Sequence, residues 1–171
     1  MPAIPDTVSL IGMPGCGKSS VGVVLAKLAA KRFVDTDLDI QRRENATLQE
    51  ILERSGYRYL REVEEQVLLA VPLQGAVIAT GGSVVYSDRA MQRLRGAGPA
   101  VYLEADLDTL VRRVESAPPR GIASDPALAY AEVFRERTPL YRAQADIVID
   151  ATAGGTDIVA ARILAELAST A

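Results

Sequence analysis

The chain has 171 residues and a mass of 18.3 kDa; 49% of the residues are hydrophobic and 24% charged. That balance closes a single globular core and excludes disorder and fibrous repeats. The net charge of -3 and pI of about 5.1 give no electrostatic reason to expect nucleic acid or an anionic membrane as partner. Cys16 is the one cysteine and histidine is absent, which excludes an internal disulfide, Ser-His-Asp triads, Cys-His nucleophiles and HExxH metal sites. Any general base is therefore Asp, Glu, Lys or Tyr, and a bound metal sits among oxygens. No run of about 18 apolar residues occurs, so no membrane span is expected. The first residues, Met1-Pro2-Ala3-Ile4-Pro5-Asp6, lack the basic start and apolar stretch of a signal peptide, so the cytoplasm is the expected compartment.

In chain order, short Val/Ile-rich runs alternate with longer amphipathic stretches. Strands are predicted at 7–11, 32–34, 76–79, 100–103 and 147–149; each run is uninterrupted, as for strands buried on both faces. Helices are predicted at 18–29, 38–70, 88–94, 106–114 and 126–141. A last helix carries Val159, Ile163 and Leu167 on one stripe, with Thr156 as its cap. This order predicts one α/β domain over residues 1–171, a five-stranded parallel sheet flanked by helices. Two segments depart from plain alternation. About 40 residues separate strands two and three, more than a crossover helix needs, which predicts a helical subdomain at about 37–70 over the sheet edge. The run at about 115–126 contains Pro118, Pro119 and Gly121, cannot continue a helix, and predicts a mobile flap.

The decisive motif is Gly12-Met13-Pro14-Gly15-Cys16-Gly17-Lys18-Ser19, a G-x4-G-K-[ST] phosphate loop between a buried strand and a helix. Its glycines let backbone N–H groups wrap an anion, and the helix N-terminus adds positive partial charge. The stretch Gly15, Cys16, Gly17, Lys18, Ser19 and Ser20 is thus the expected ATP-binding segment. Lys18 spans the β- and γ-phosphates, and the Ser19 hydroxyl ligates Mg²⁺. GTPase DxxG and NKxD elements are absent. Acidic residues follow the second strand instead, in Phe33-Val34-Asp35-Thr36-Asp37. With that strand beside the first, Asp35 and Asp37 face the ligand, one toward Mg²⁺ and one toward an acceptor hydroxyl. The same spacing equally suits a helix N-cap followed by acidic first-turn residues.

Together with that loop, Phe33-x-Asp35-x-Asp37, Leu60-Arg61-x-x-Glu64, Ala79-Thr80-Gly81-Gly82, Val101-Tyr102-Leu103, Arg120 and Arg137-x-Pro139-Leu140-Tyr141 ahead of Ala145-Asp146 resemble the shikimate kinase family over nearly the whole chain. The resemblance implies a P-loop fold of adenylate-kinase type with a substrate-binding subdomain and a lid. It implies that Asp37 bonds the acceptor hydroxyl as its base or orienting group, and that Asp35 holds Mg²⁺ through water beside Ser19. Arg61 and Arg137 clamp the substrate carboxylate, Glu64 holds Arg61 in place, and Gly81 and Gly82 contact the substrate. Arg120 swings toward the phosphates with the lid, and Arg113 lies over the adenine. A flat guanidinium fork suits a carboxylate, although Arg61 near Glu64 and Glu65, and Arg137 near Glu132 and Glu136, also read as solvated surface pairs.

Several positions depart from the family: Ser83 replaces a glycine, Gly121 stands where proline is usual, and Leu52 and Leu60 replace an aromatic wall under the substrate ring. The implied reaction is ATP-dependent phosphorylation of the shikimate 3-hydroxyl. A kinase of the same fold acting on homoserine or gluconate, and a non-catalytic nucleotide-binding regulator, are the alternatives. Nothing in the sequence suggests a coiled coil or an edge-strand partner, so a monomer is expected.

Overall fold

The computed structural model describes residues 4–170; part of the N-terminal reading above, on residues 1–3, lies outside the described residues. Strands β1 (Val8–Ile11), β2 (Arg32–Asp35), β3 (Ala76–Ala79), β4 (Ala100–Glu104) and β5 (Ile147–Asp150) form one parallel sheet in the order β2-β3-β1-β4-β5. β1, at the centre, is fully buried, which accounts for its unbroken apolar run. The expected neighbourhood of strands one and two is corrected: β3 lies between them. Local sequence pattern specifies that a strand is buried, not which strand it pairs with. The consequence for the site is small, because β3 ends level with β2, with Asp35 opposite Ala79.

Helix α1 (Lys18–Leu28) packs against α7 (Thr156–Ser169). Thr156 is the first residue of α7 rather than its cap; Gly155 occupies that place without a side-chain hydrogen bond. The predicted 38–70 stretch divides into α2 (Thr36–Glu44) and α3 (Leu48–Ala70). Asn45, left-handed at φ 48°, ends α2, and Thr47 with Glu50 forms a reciprocal capping box for α3. Gly56, at φ 80° and ψ 169°, interrupts α3 near its middle, a conformation that glycine adopts without the Cβ penalty. A 3-10 turn (Val84–Tyr86) precedes α4 (Asp88–Ala97), and Asp106 caps α5 (Leu107–Glu115). The flap follows, and α6 (Tyr130–Gln144) starts later than the predicted 126, its first turn fixed by Glu132 accepting the Ala129 N–H.

Two apolar clusters result. The larger fills the space around the sheet. The smaller joins Ile40 of α2 to Ile51, Leu60, Val63 and Val67 of α3, and includes Ala123 from the flap. The α2–α3 arm thus has its own core, and the flap is docked into it.

Candidate active site

The turn leaving β1 carries Gly15 at φ 89° and Gly17 at φ 98°, left-handed positions that let successive N–H groups converge on an anion. Lys18 is buried, and its Nζ donates to the carbonyls of Gly12 at 2.7 Å and Met13 at 3.0 Å, holding the loop in a cradle. Cys16 is a buried small side chain within that cradle. Arg113 reaches it from α5, donating to the carbonyls of Gly15, Cys16 and Ala151 at 3.3–3.4 Å, whereas the neighbouring Arg112 bonds Thr109 on the exposed side.

Asp35 settles the question of the paired carboxylates. Its Oδ1 accepts the Asp37 N–H at 3.0 Å, capping α2, and its Oδ2 accepts the Ser19 hydroxyl at 2.7 Å. The capping reading is realised by Asp35, with Asp37 and Asp39 in the first turn, and the same Asp35 side chain meets Ser19 of the phosphate loop. Asp37, freed from capping, turns into the cleft. Burial raises its carboxyl above the usual carboxylate range, as does the Asp35 charge, while Lys18 and Arg120 oppose the rise. The Ser19–Asp35 pair presents hard oxygen donors beside the phosphate cradle, a donor set that fits Mg²⁺. No group of three or more His, Cys, Asp or Glu suited to a metal occurs among the described residues. Water and phosphate oxygens would complete the shell, as Mg²⁺ prefers.

One cavity of about 720 Å³ joins these groups. Lys18, Ser19, Ser20, Asp35, Asp37, Glu64, Gly81, Gly82, Arg113, Arg120 and Arg137 all line it, with the loop residues Gly15, Cys16 and Gly17. Arg61 does not. Its Nε donates to the flap carbonyl of Ala123 at 2.9 Å, and its guanidinium stacks 4.1 Å over the Tyr86 ring and 5.0 Å from that of Tyr57. Leu60 lines the cavity but Leu52 packs at the edge of the smaller apolar cluster, so only one of the two expected wall positions faces the cleft.

Glu64 does not hold Arg61. Ser83 donates to Glu64 Oε2, and both residues are buried. The departure from glycine at position 83 therefore has a purpose that the sequence did not disclose: it partners a buried acid. Glu64 Oε1 and Arg137 Nε are buried without a hydrogen-bond partner, although Arg137 Nη2 donates to Ala123 O at 2.7 Å. Buried polar atoms in native proteins are almost always satisfied, and these two belong to residues that line the cavity. The backbone at 81 and 82 passes close to these side chains: a Cβ at Gly81 would lie 2.4 Å from Glu64 Oε1 and displace that carboxyl, and one at Gly82 would lie 2.9 Å from Pro14 Cδ and 3.0 Å from Arg137 Nη1. Tyr141, which sequence reasoning placed only in a motif, donates to the Gly82 carbonyl and fixes that turn.

A family model described as shikimate kinase matches residues 14–168. Shikimate kinase 2 of Escherichia fergusonii is 39% identical over 150 residues, covering 84% of this chain and 82% of that protein. A solved shikimate kinase from Acinetobacter baumannii in complex with shikimate superposes with a TM-score of 0.86 at 28% identity, covering 99% of this chain and 96% of the other. The chain belongs to the shikimate kinase family. It is a phosphotransferase with an alcohol group as acceptor, and ATP is the donor in this family. A shikimate kinase must place an acid, its alcohol and a triphosphate in one cleft. Here the cavity runs from Arg137 past Glu64 and Asp37 to Lys18.

Glu64 in this kinase also titrates unusually. Burial pushes its carboxyl up from 4.5 to about 7; the Ser83 hydrogen bond opposes this, Asp37 adds to it, and Arg137 and Lys18 oppose it. A folded-state value above the unfolded one means that the native protein binds the proton more tightly. This contribution to stability is full below about pH 4.5 and is lost as pH rises through about 7, a change on the order of 3 kcal/mol. Urea unfolding of wild type and Glu64→Gln between pH 5 and pH 8 is expected to show wild type losing stability relative to the variant by that order. A pH-independent difference contradicts the assignment.

Proposed function

We propose that this chain transfers the γ-phosphoryl group of ATP to the 3-hydroxyl of shikimate, with Asp37 aiming the alcohol. The observation that carries this reading is the single cavity joining Lys18 to Asp37, with the unpartnered Arg137 Nε and Glu64 Oε1 beside them. The loop N–H groups and Lys18 hold the β- and γ-phosphates. Arg137 binds the acceptor carboxylate while Arg61 is held outside the cavity on the Ala123 carbonyl, Glu64 Oε1 accepts a ring hydroxyl, and the Gly81–Gly82 backbone lies against the ring. Asp37 accepts the proton of the attacking hydroxyl as its oxygen bonds to γ-phosphorus and the bond to the bridging oxygen of ADP breaks. Arg120, exposed at the cavity mouth, spreads positive charge over the transferring group. Arg113 packs along the adenine side. Ser19 and, through water, Asp35 would hold Mg²⁺, which would supply positive charge against the phosphates.

The α2–α3 arm at about 37–70 is the acceptor-binding part, and 115–126 the lid. No helix among the described residues is long and apolar enough to cross a membrane, and an unpaired cysteine suits the reducing cytoplasm. A coupled ADP-release assay with shikimate, homoserine and gluconate tests the acceptor. Turnover with shikimate at least tenfold above either alternative is expected; equal or greater turnover with homoserine or gluconate contradicts the reading.

A further inference from the structure

The phosphate loop is held from outside, carbonyl by carbonyl. Lys18 takes those of Gly12 and Met13, and Arg113 those of Gly15 and Cys16. Between them, the Pro14 carbonyl accepts the hydroxyl of Tyr130 at 2.6 Å. Tyr130 is the first residue of α6, partly buried, and its ring packs against the large apolar core. Burial raises its hydroxyl above the ordinary tyrosine value, so it stays a neutral donor near pH 7. Pro14 and Gly15 line the cavity, whereas Tyr130 does not.

The peptide between Pro14 and Gly15 needs such a hold. A trans peptide points its C=O and N–H in opposite directions, and none of the described peptides is cis. Pro14 contributes no N–H, which leaves Gly15 as the next donor along the loop. Gly15 stands at φ 89°, and glycine crosses between backbone regions without a Cβ penalty. A flip of this peptide would aim a carbonyl oxygen at the triphosphate in place of a donor. Lys18 is no substitute, since in the reading above its ammonium serves the phosphates.

The same helix reaches the acceptor side. Tyr141, also on α6, donates to the Gly82 carbonyl, and a Cβ at Gly82 would stand 2.9 Å from Pro14 Cδ. Thus α6 fixes the phosphate loop and the acceptor turn in one frame, with a tyrosine on each. We propose that Tyr130 is a positioning residue for phosphoryl transfer: its hydroxyl draws the Pro14 carbonyl outward and so keeps the Gly15 N–H turned toward the phosphates. A preorganised N–H counts most against the charge that develops during transfer. The hydroxyl therefore matters more to the rate than to binding. This inference rests on the functional reading above.

Tyr130→Phe removes the hydroxyl and keeps the ring, while Tyr130→Leu removes both. Single-turnover transfer to shikimate is expected to slow about tenfold in each, less than the ~10²–10³-fold of a donor lost outright. Kd for a non-hydrolysable ATP analogue and KM for shikimate stay within threefold of wild type. Equal transfer rates in the two variants, despite the greater loss of stability to urea expected in Tyr130→Leu, assign the effect to the hydroxyl. Phosphorus NMR of bound ADP supplies a reading independent of the acceptor, and the β-phosphorus resonance is expected to shift in Tyr130→Phe. Transfer in Tyr130→Phe within twofold of wild type overturns the proposal, even where Tyr130→Leu is slow. So does a β-phosphorus resonance identical to that of wild type, or a loss that is wholly weaker binding of the analogue. Wild type that transfers nothing to shikimate overturns the functional reading, and the ADP resonance then decides this inference by itself.

Discussion

Asp37→Asn is expected to lower turnover by ~10²–10⁴-fold, the usual contribution of a positioned general base, while affinity for ATP stays within a few-fold of wild type. The amide keeps the size and hydrogen-bonding reach of the carboxylate but cannot take a proton. The nucleotide is unaffected in this account because its contacts lie in the loop between β1 and α1, while Asp37 lies in the first turn of α2, a residue whose N–H is already satisfied by Asp35. The raised carboxyl value produced by burial and by Asp35 makes Asp37 a stronger proton acceptor than a surface aspartate. Coupled-assay turnover and calorimetric binding of an ATP analogue separate the two effects. Turnover within threefold of wild type would remove Asp37 from the reaction.

Lys18→Met is expected to reduce turnover ~10²–10³-fold, equivalent to about 3–4 kcal/mol of transition-state stabilisation, as for loss of a preorganised donor at developing charge. Methionine matches the length and apolar stem of lysine, so the change removes charge more than volume. The ammonium now satisfies the Gly12 and Met13 carbonyls; its loss also leaves these without that donor, and weaker nucleotide binding accompanies the slower chemistry. The split between turnover and affinity identifies the role. Charge that matters most during transfer lowers kcat by more than it weakens ATP binding. An affinity loss that accounts for the whole effect would reduce Lys18 to a scaffold for the loop.

How far the sequence carried these conclusions varied with the range of the interaction. The phosphate loop and the five strands were legible because their signals are local: glycine spacing, a lysine before a serine, unbroken Val/Ile runs; burial on both faces holds for β1, β3 and most of β4, whereas the edge strands β2 and β5 are only partly buried. Asp106, expected as the first residue of its helix, is instead its cap. Contacts between distant elements were not legible. The sequence could not place β3 between β1 and β2, because pairing depends on crossover packing and not on the runs themselves. Ser83 stood out as a departure, yet its partner Glu64 lies in another element. Arg61 and Glu64, three residues apart on one helix, looked like a natural pair; tertiary packing directs one to the flap carbonyl and the other to Ser83. The second half of the capping box, Glu50 after Thr47, was a local signal and would have split the 38–70 stretch correctly.

The central claim is that an alcohol held by Asp37 receives the outermost phosphoryl group of the nucleotide held at Lys18. Phosphorus NMR of the protein incubated with ATP, Mg²⁺ and shikimate tests it most directly. The account predicts a new phosphate monoester, formed in step with ADP and coupled to the proton on carbon 3 of the acceptor. Loss of ATP with only inorganic phosphate appearing, or no shikimate-dependent change in the spectrum, would contradict it.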